Sequence, residues 1–231
     1  MLVIDDGTDY FPEICKPALE HYCERHGASL IVREPVQFGG YAMAKEAVPD
    51  LHPAWSLISA IAYFGTVGFG REEDQVCCFL DNDIYPHPQA ASIWQWRNTC
   101  PRNRPRGMRD RMQILKARGI RDPLPDDDYQ TCCITIDRVA ARAMAGAMSY
   151  ARWDSTDGQK YEQEWVSLRL KMGCISLRNP WALGFRIREV PRVDAFTRRA
   201  DFYHVSGNLP PGKLHYLSKL RDCLDGGKAW G

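Results

Sequence analysis

No apolar run in these 231 residues is long enough to cross a bilayer, so no helical membrane span is expected within them. Net charge is almost absent: 30 Lys and Arg stand against 29 Asp and Glu, leaving +1. That balance removes any global electrostatic argument for nucleic-acid or membrane binding. The nine cysteines form no Cys-x-x-Cys pair, and there is no Asn-x-Ser/Thr sequon. Cys77-Cys78 and Cys132-Cys133 sit in apolar runs, where Cys behaves as a small buried hydrophobe. Adjacent strand residues face opposite ways, so neither doublet reads as a metal clamp or a bridge. The opening Met1-Leu2-Val3-Ile4-Asp5-Asp6 is too short and too acidic for a signal peptide. The expected setting is therefore reducing and cytoplasmic. Repeats, low-complexity blocks and clear linkers are lacking too, and 45% apolar with 26% charged residues is the composition of one globular domain.

What is present is an α/β rhythm. Met1 to Asp5 reads as a strand and Asp6-Gly7-Thr8-Asp9 as a turn. From Phe11 to Gly27 apolar residues recur at helical spacing, with Gly27 as a C-cap and Pro17 out of place. Ser29 to Arg33 is a second strand, completing the strand–helix–strand unit of a parallel sheet. Three prolines and Gly39-Gly40 make 35–53 mostly loop, Ala54 to Phe64 is an amphipathic helix, and Gln89 to Asn98 can form another. Gln130 to Ile136 is a buried strand, and Asp137 caps a helix running to Tyr150. Tyr161 to Met172 reads as a helix, Cys174 to Leu177, Gly184 to Ile187 and Asp201 to Gly207 as short strands, and Lys213 to Leu224 as a closing helix.

The chemistry gathers at Val76-Cys77-Cys78-Phe79-Leu80-Asp81-Asn82-Asp83. Five apolar residues in a row describe a strand buried on both faces. In extended backbone, residues two apart point the same way, so Asp81 and Asp83 aim at one point beyond its carboxyl end. Paired carboxylates repel unless something positive lies between them, and a hard divalent cation such as Mg²⁺ or Mn²⁺ fits. The plain alternative is a polar turn, since Asp and Asn are common turn residues. Ligands of open α/β sheets sit beyond the carboxyl ends of the strands, where Asp6, Asp9, Asp81 and Asp83 fall. His204, at the end of a late strand before Gly207, is a candidate third ligand, and Lys213 a candidate charge for phosphate. The Asp126-Asp127-Asp128 triplet reads as a solvated turn. Nine basic residues crowd 97–121 against the one acid Asp110, as a solvated excursion or as an anion-binding flap.

Taken in order, these segments resemble the nucleotide-sugar glycosyltransferases of the GT-A fold. The likeness is nearest to the retaining families that include glycogenin and the bacterial lipopolysaccharide galactosyltransferases. Thr8-Asp9-Tyr10 is similar to the segment that holds the nucleotide base, and Phe79-Leu80-Asp81-Asn82-Asp83 to the Asp-x-Asp metal motif. Glu162-Gln163-Glu164 resembles the Asp-Gln-Asp at the sugar–acceptor boundary, and His204-Val205-Ser206-Gly207 with Lys213 the late His-x-x-Gly…Lys. Thr131-Cys132-Cys133 departs from the Asn-x-Gly usual in those families, and Lys213 lies further from Gly207 than is usual.

The resemblance implies a single GT-A-like domain over 1–231, a mostly parallel mixed sheet flanked by helices. Residues 1–83 would form a nucleotide-binding half and 84–231 a donor-sugar and acceptor half. It implies that Asp81, Asp83 and His204 hold Mn²⁺ or Mg²⁺ against the diphosphate of a UDP- or GDP-sugar. Asp9 and Tyr10 would hold base and ribose, Tyr10 by stacking, and Lys213 the phosphates. Gln163 would face the anomeric carbon, with Glu162 or Glu164 orienting the donor sugar or the hydroxyl of a glycan, lipid or protein acceptor. Two rivals are an Asp-x-Asp phosphohydrolase with Asp81 as nucleophile and a non-catalytic binder of anionic polymers through 97–121; nucleic acid is the weaker partner, because few aromatics interleave the basic residues.

Overall fold

The computed structural model describes residues 1–69, 75–95, 97–101, 131–147, 175–177, 182–186, 201–206 and 210–226. Its centre is a six-stranded sheet built from β1 (Leu2–Ile4), β2 (Ile31–Arg33), β3 (Val76–Asp81), β5 (Thr99–Pro101), β6 (Cys133–Asp137) and β7 (Ile175–Leu177), in the order β2-β1-β3-β6-β5-β7. β1 runs parallel to both β2 and β3, and β5 parallel to β7. β6 alone is antiparallel to its neighbours β3 and β5. A second sheet, order β4-β9-β8, joins β4 (Ile84–Pro86), β8 (Ala182–Arg186) and β9 (Phe202–Ser206).

The side-chain period of two divides β3 between two cores. Cys78 and Leu80 face one, with Val3, Cys133 and the buried sides of α1 (Lys16–Arg25), β9 and the last helix. Cys77 and Phe79 face the other, with Leu2, Ile134, Ile136 and the buried sides of α2 (Gly39–Ala47), α3 (Ser56–Thr66) and α4 (Arg138–Ala147). The last helix, α5, spans Pro210–Asp225. The arrangement is the α/β class that the sequence pattern predicts, with the mixed, mostly parallel sheet that the resemblance implies.

Local signals hold where they are self-contained. Gly27 takes φ +64°, and the Gly27 and Ala28 amides return to the Glu24 and Cys23 carbonyls, closing α1 in a Schellman turn. Pro17 is accommodated because the first turn, Phe11–Cys15, is a wider π-helical turn and α1 begins only at Lys16. Asp137 Oδ1 accepts from the Ala140 amide at 2.8 Å, the expected N-cap of α4. Gly65 has a different role: a Cβ there would lie 2.6 Å from the backbone of Ala141, so its bare backbone is what lets α3 and α4 touch.

Three segments depart from the sequence pattern. Residues 39–47, expected as loop, are α2: Tyr41 and Ala44 bury into the core, and the glycines fall in its first turn. Among the described residues of 89–98, expected as a helix, the helical part is the single turn Ile93–Gln95. Tyr22 of α1 supplies the reason. Its hydroxyl donates to the Ala91 carbonyl and accepts from the Ile93 amide, both at 2.7 Å, and its ring stacks on Trp94, so it takes backbone groups a helix would use. Ile84-Tyr85-Pro86, to which the sequence pattern assigns no element, is strand β4 and pairs antiparallel with β9.

Candidate metal centre

Two pairings build the site. Parallel register sets Ile4 beside Asp81, so the loop leaving β1 shares a rim with the Asp-Asn-Asp leaving β3. Antiparallel register then sets Ile84 opposite His204, and the Val205 amide donates to the Asp83 carbonyl at 3.3 Å. The second sheet thus turns His204 toward the aspartates, although 121 positions separate it from Asp83 in the chain.

His204 Nε2 lies 3.2 Å from Asp83 Oδ1 and 3.8 Å from Asp81 Oδ2. One ligand atom from each of Asp81, Asp83 and His204 fits within a 4.8 Å group. Lys213 Nζ, in the first turn of α5, donates to Asp83 Oδ2 at 2.6 Å. Asp83 is nearly sealed, its side chain 4% exposed, whereas that of Asp81 is 45% exposed. The motif therefore has one open acid and one closed acid.

The electrostatics follow. Burial pushes the Asp83 carboxyl up, but the charge of His204 and the charge and hydrogen bond of Lys213 overcome it and hold the carboxyl down at about 2. At Asp81, restricted hydration and then the Asp83 charge raise the carboxyl to about 6. Burial opposes a charged His204, yet Asp83 lifts the imidazole well above its ordinary value. With no metal bound, the imidazolium and the Lys213 ammonium neutralise the two carboxylates.

The donor set suits a divalent cation. Asp83 Oδ1 is buried and has no hydrogen bond, with His204 Nε2 3.2 Å away. An unsatisfied buried carboxylate oxygen is costly, and a cation satisfies it. Mg²⁺-type ligand distances place neighbouring ligand atoms about 3 Å apart and opposite ones about 4.2 Å apart, the scale of this cluster. A metal here would take the place of the imidazole proton, since only neutral imidazole ligates. Two carboxylates and one imidazole suit Mg²⁺ or Mn²⁺ and leave coordination positions for oxygen from a ligand.

Asn82, between the aspartates, faces the other way and reaches the β1 loop. Its Nδ2 donates to Asp6 Oδ1 at 2.6 Å and to Thr8 Oγ1 at 3.0 Å, and its Oδ1 accepts from the Tyr10 hydroxyl at 3.1 Å. Asp6, read from sequence as a turn residue, is thus tied to the motif. Tyr10 is placed differently from the expectation: its ring is 3% exposed, the Lys213 ammonium stands 5.6 Å from its centre, and burial raises its hydroxyl to about 12. That ring is part of the core beneath the rim rather than a platform open to a base. Asp9 is exposed beside it. Cys132 lies against His204, and its carbonyl accepts from the Asp81 amide at 2.9 Å. Part of the signal for Asn82 is present in the sequence: a residue between two that share one direction points the other way.

Glu162, Gln163, Glu164, Gly207, the Asp126–Asp128 triplet and the basic stretch 102–121 lie outside the described residues. Arg97, the first member of the basic stretch, donates to Asp137 Oδ2 at 2.9 Å. Among the described residues no helix is long and apolar enough to cross a membrane.

No protein-family model matches the sequence, and no curated protein matches it. Among solved structures, the chain is similar to a glycosyltransferase involved in the glycosylation of the major capsid of PBCV-1, at 16% identity and a TM-score of 0.53. The match covers 94% of this chain and 97% of that one. At such identity the likeness is one of fold: a single mixed α/β domain of the GT-A type.

Proposed function

We propose that the chain is a metal-dependent glycosyltransferase that moves a hexose from a nucleotide diphosphate sugar to an acceptor hydroxyl with retention of configuration. The observation that carries this reading is the convergence of Asp81, Asp83 and His204 at the carboxyl rim of parallel strands, where α/β sheets bind ligands. The GT-A-type fold supports it. In this reading Asp81 and Asp83, with His204, hold Mn²⁺ or Mg²⁺. A bound divalent cation neutralises the charge that builds on a leaving diphosphate.

The half-open Asp81 faces the ligand side, while the sealed Asp83 anchors the site from below. Lys213 fixes the Asp83 carboxylate and adds positive potential beneath the diphosphate. Asp9, exposed on the β1 loop, is the proposed contact to base or ribose in the 1–83 half. Gln163 is proposed to face the anomeric carbon and Glu162 or Glu164 to orient donor sugar or acceptor, on the resemblance of their segment. The donor is a UDP- or GDP-sugar and the acceptor a glycan, lipid or protein hydroxyl.

A thermal-shift panel of nucleoside diphosphates and nucleotide sugars, with and without Mn²⁺, tests this. Stabilisation by UDP or GDP that depends on Mn²⁺ is expected. No such stabilisation, together with phosphate release from phosphomonoesters, would replace the transferase with a phosphohydrolase.

A further inference from the structure

The unusual member of the site is the residue between the two aspartates. Asn82 is 8% exposed and directs three hydrogen bonds, two donated and one accepted, at one target, the loop leaving β1. Both amide hydrogens go to oxygens, Asp6 Oδ1 and Thr8 Oγ1, and the amide oxygen receives the Tyr10 hydroxyl. These partners lie 76, 74 and 72 positions away in sequence. The same three-residue motif therefore presents two carboxylates to a cation and one carboxamide to the loop.

The chemistry at 82 is specific. The shortest of the three bonds runs to a carboxylate, and charge-assisted bonds of this kind are the stronger ones. An aspartate in this place has the same shape but no amide donor. It would set its charge against Asp6 and place a fourth acid on a rim that already holds Asp6, Asp81 and Asp83. The Thr8 and Tyr10 hydroxyls can rotate to suit either side chain, so Asp6 is the partner that demands a donor.

We infer that Asn82 is a positioning residue that holds the β1 loop, Asp6 to Tyr10, in register with the metal motif, so that nucleotide binding depends on it while metal binding does not. The inference rests on the donor-site reading given above. The Asn82 amide is engaged by Asp6, Thr8 and Tyr10 on the side away from the cation cluster. Loosening its bonds frees the loop that carries Asp9 but leaves Asp81 on β3, His204 on β9 and Asp83 held in the short turn before β4 by Lys213 and the Val205 amide. The two ligands are thereby separable. Exchange of Asn82 for Asp leaves Mn²⁺ affinity unchanged or tighter, because negative charge is added nearby, and weakens nucleotide.

Asn82→Asp, Asp6→Asn and the double exchange Asp6→Asn/Asn82→Asp test this. In the double exchange the donor moves to position 6 and the acceptor to position 82, which restores the bond in reverse. Mn²⁺ alone is titrated calorimetrically, then UDP and GDP at saturating Mn²⁺, all well below the melting temperature. For Asn82→Asp the expected result is unchanged or tighter Mn²⁺ binding with nucleotide weaker by about tenfold. In turnover the donor KM should rise with little change in kcat. The double exchange should recover nucleotide affinity to within about threefold of the unaltered protein.

Nucleotide binding unaltered in Asn82→Asp, Mn²⁺ and nucleotide weakened together, or no recovery in the double exchange would each overturn the inference while leaving the donor-site reading intact. An unaltered protein that binds Mn²⁺ but neither nucleotide overturns the donor-site reading, and this inference with it. Should Asn82→Asp fail to fold, Thr8→Val removes one of the same bonds from the loop side and carries the same expectation, with a smaller loss.

Discussion

Two strands of the central sheet end in aspartate, and they lie side by side in opposite directions. β3 ends at Asp81 and leads into Asp83; β6 ends at Asp137, paired with Val76 at the far end of β3. At the Asp137 end every oxygen is used. Oδ1 accepts from the Ala140 amide, and Oδ2 accepts from Arg97 and from the Asn98 side chain at 2.7 Å. The Asn98 carbonyl oxygen in turn accepts from the Asp137 amide at 2.9 Å. At the other end Asp83 Oδ1 has no proper hydrogen bond, and a second acid stands close by. The first aspartate is complete without a ligand and caps a helix. The second group is balanced by the His204 and Lys213 charges, and it leaves a carboxylate oxygen that a cation could take. Unsatisfied pairing, rather than residue type, separates the chemical end from the structural end.

The largest expected break comes at Asp83. Asp83→Ala strips the counter-charge from His204 and Lys213, both mostly buried, and should cost about 3 kcal/mol in the metal-free protein. For a chain of this size that lowers the melting temperature by roughly 6–12 °C. It should also abolish Mn²⁺-dependent stabilisation by UDP or GDP; stabilisation that survives would remove Asp83 from the site.

Asp137→Ala is the matched control at the other end. Loss of the helix cap and of the Arg97 and Asn98 bonds should cost about 2 kcal/mol, read by urea denaturation. Mn²⁺ affinity measured on the folded variant should not change. A parallel loss of metal binding would mean that the two ends are not independent.

His204→Ala should weaken Mn²⁺ binding by about tenfold, or about 1.4 kcal/mol, without abolishing it, because the two carboxylates remain. Titration of the folded variant with Mn²⁺ checks this, and unchanged affinity would exclude His204 as a ligand.

The smallest expected effect is in pH dependence, and Asp81 and Asp137 should differ in sign. At Asp137 burial is outweighed by the Ala140, Asn98 and Arg97 bonds, and the carboxyl is held below its ordinary value. Its contribution is present above about pH 4 and is lost as pH falls through the lower folded value. Asp81, raised to about 6, binds its proton more readily folded than unfolded. Acidification between about pH 6 and pH 4 therefore adds stability from that group in the metal-free protein. Asp81→Asn should remove the gain and Asp137→Asn the loss, both read from melting temperature against pH in EDTA.

Much of this was legible in the sequence where its cause is local. The strand ending at Asp81, the opening strand–helix–strand, the Gly27 stop and the Asp137 cap each depend on residues a few positions apart. The Asp81 and Asp83 pair is also legible, from strand-end position and two-residue spacing, whereas His204, in the middle of β9, is joined to them by the resemblance of its segment and is brought there by the β4–β9 pairing. α2 and the failed helix at 89–98 were not legible, since the side chains that decide them, such as Tyr22 beneath Trp94, come from other elements.

The amino-acid sequence by itself determined the α/β alternation, the apolar strand that carries the acids and the turn chemistry that ends it, because periodicity and capping act over one or two turns of chain. Only the tertiary structure decided which aspartate is paired and which is left open, that Lys213 sits on Asp83 from 130 positions away, and that Asn82 ties the motif to the loop of β1. Those outcomes depend on strand register, and register is settled by how whole elements bury their apolar faces.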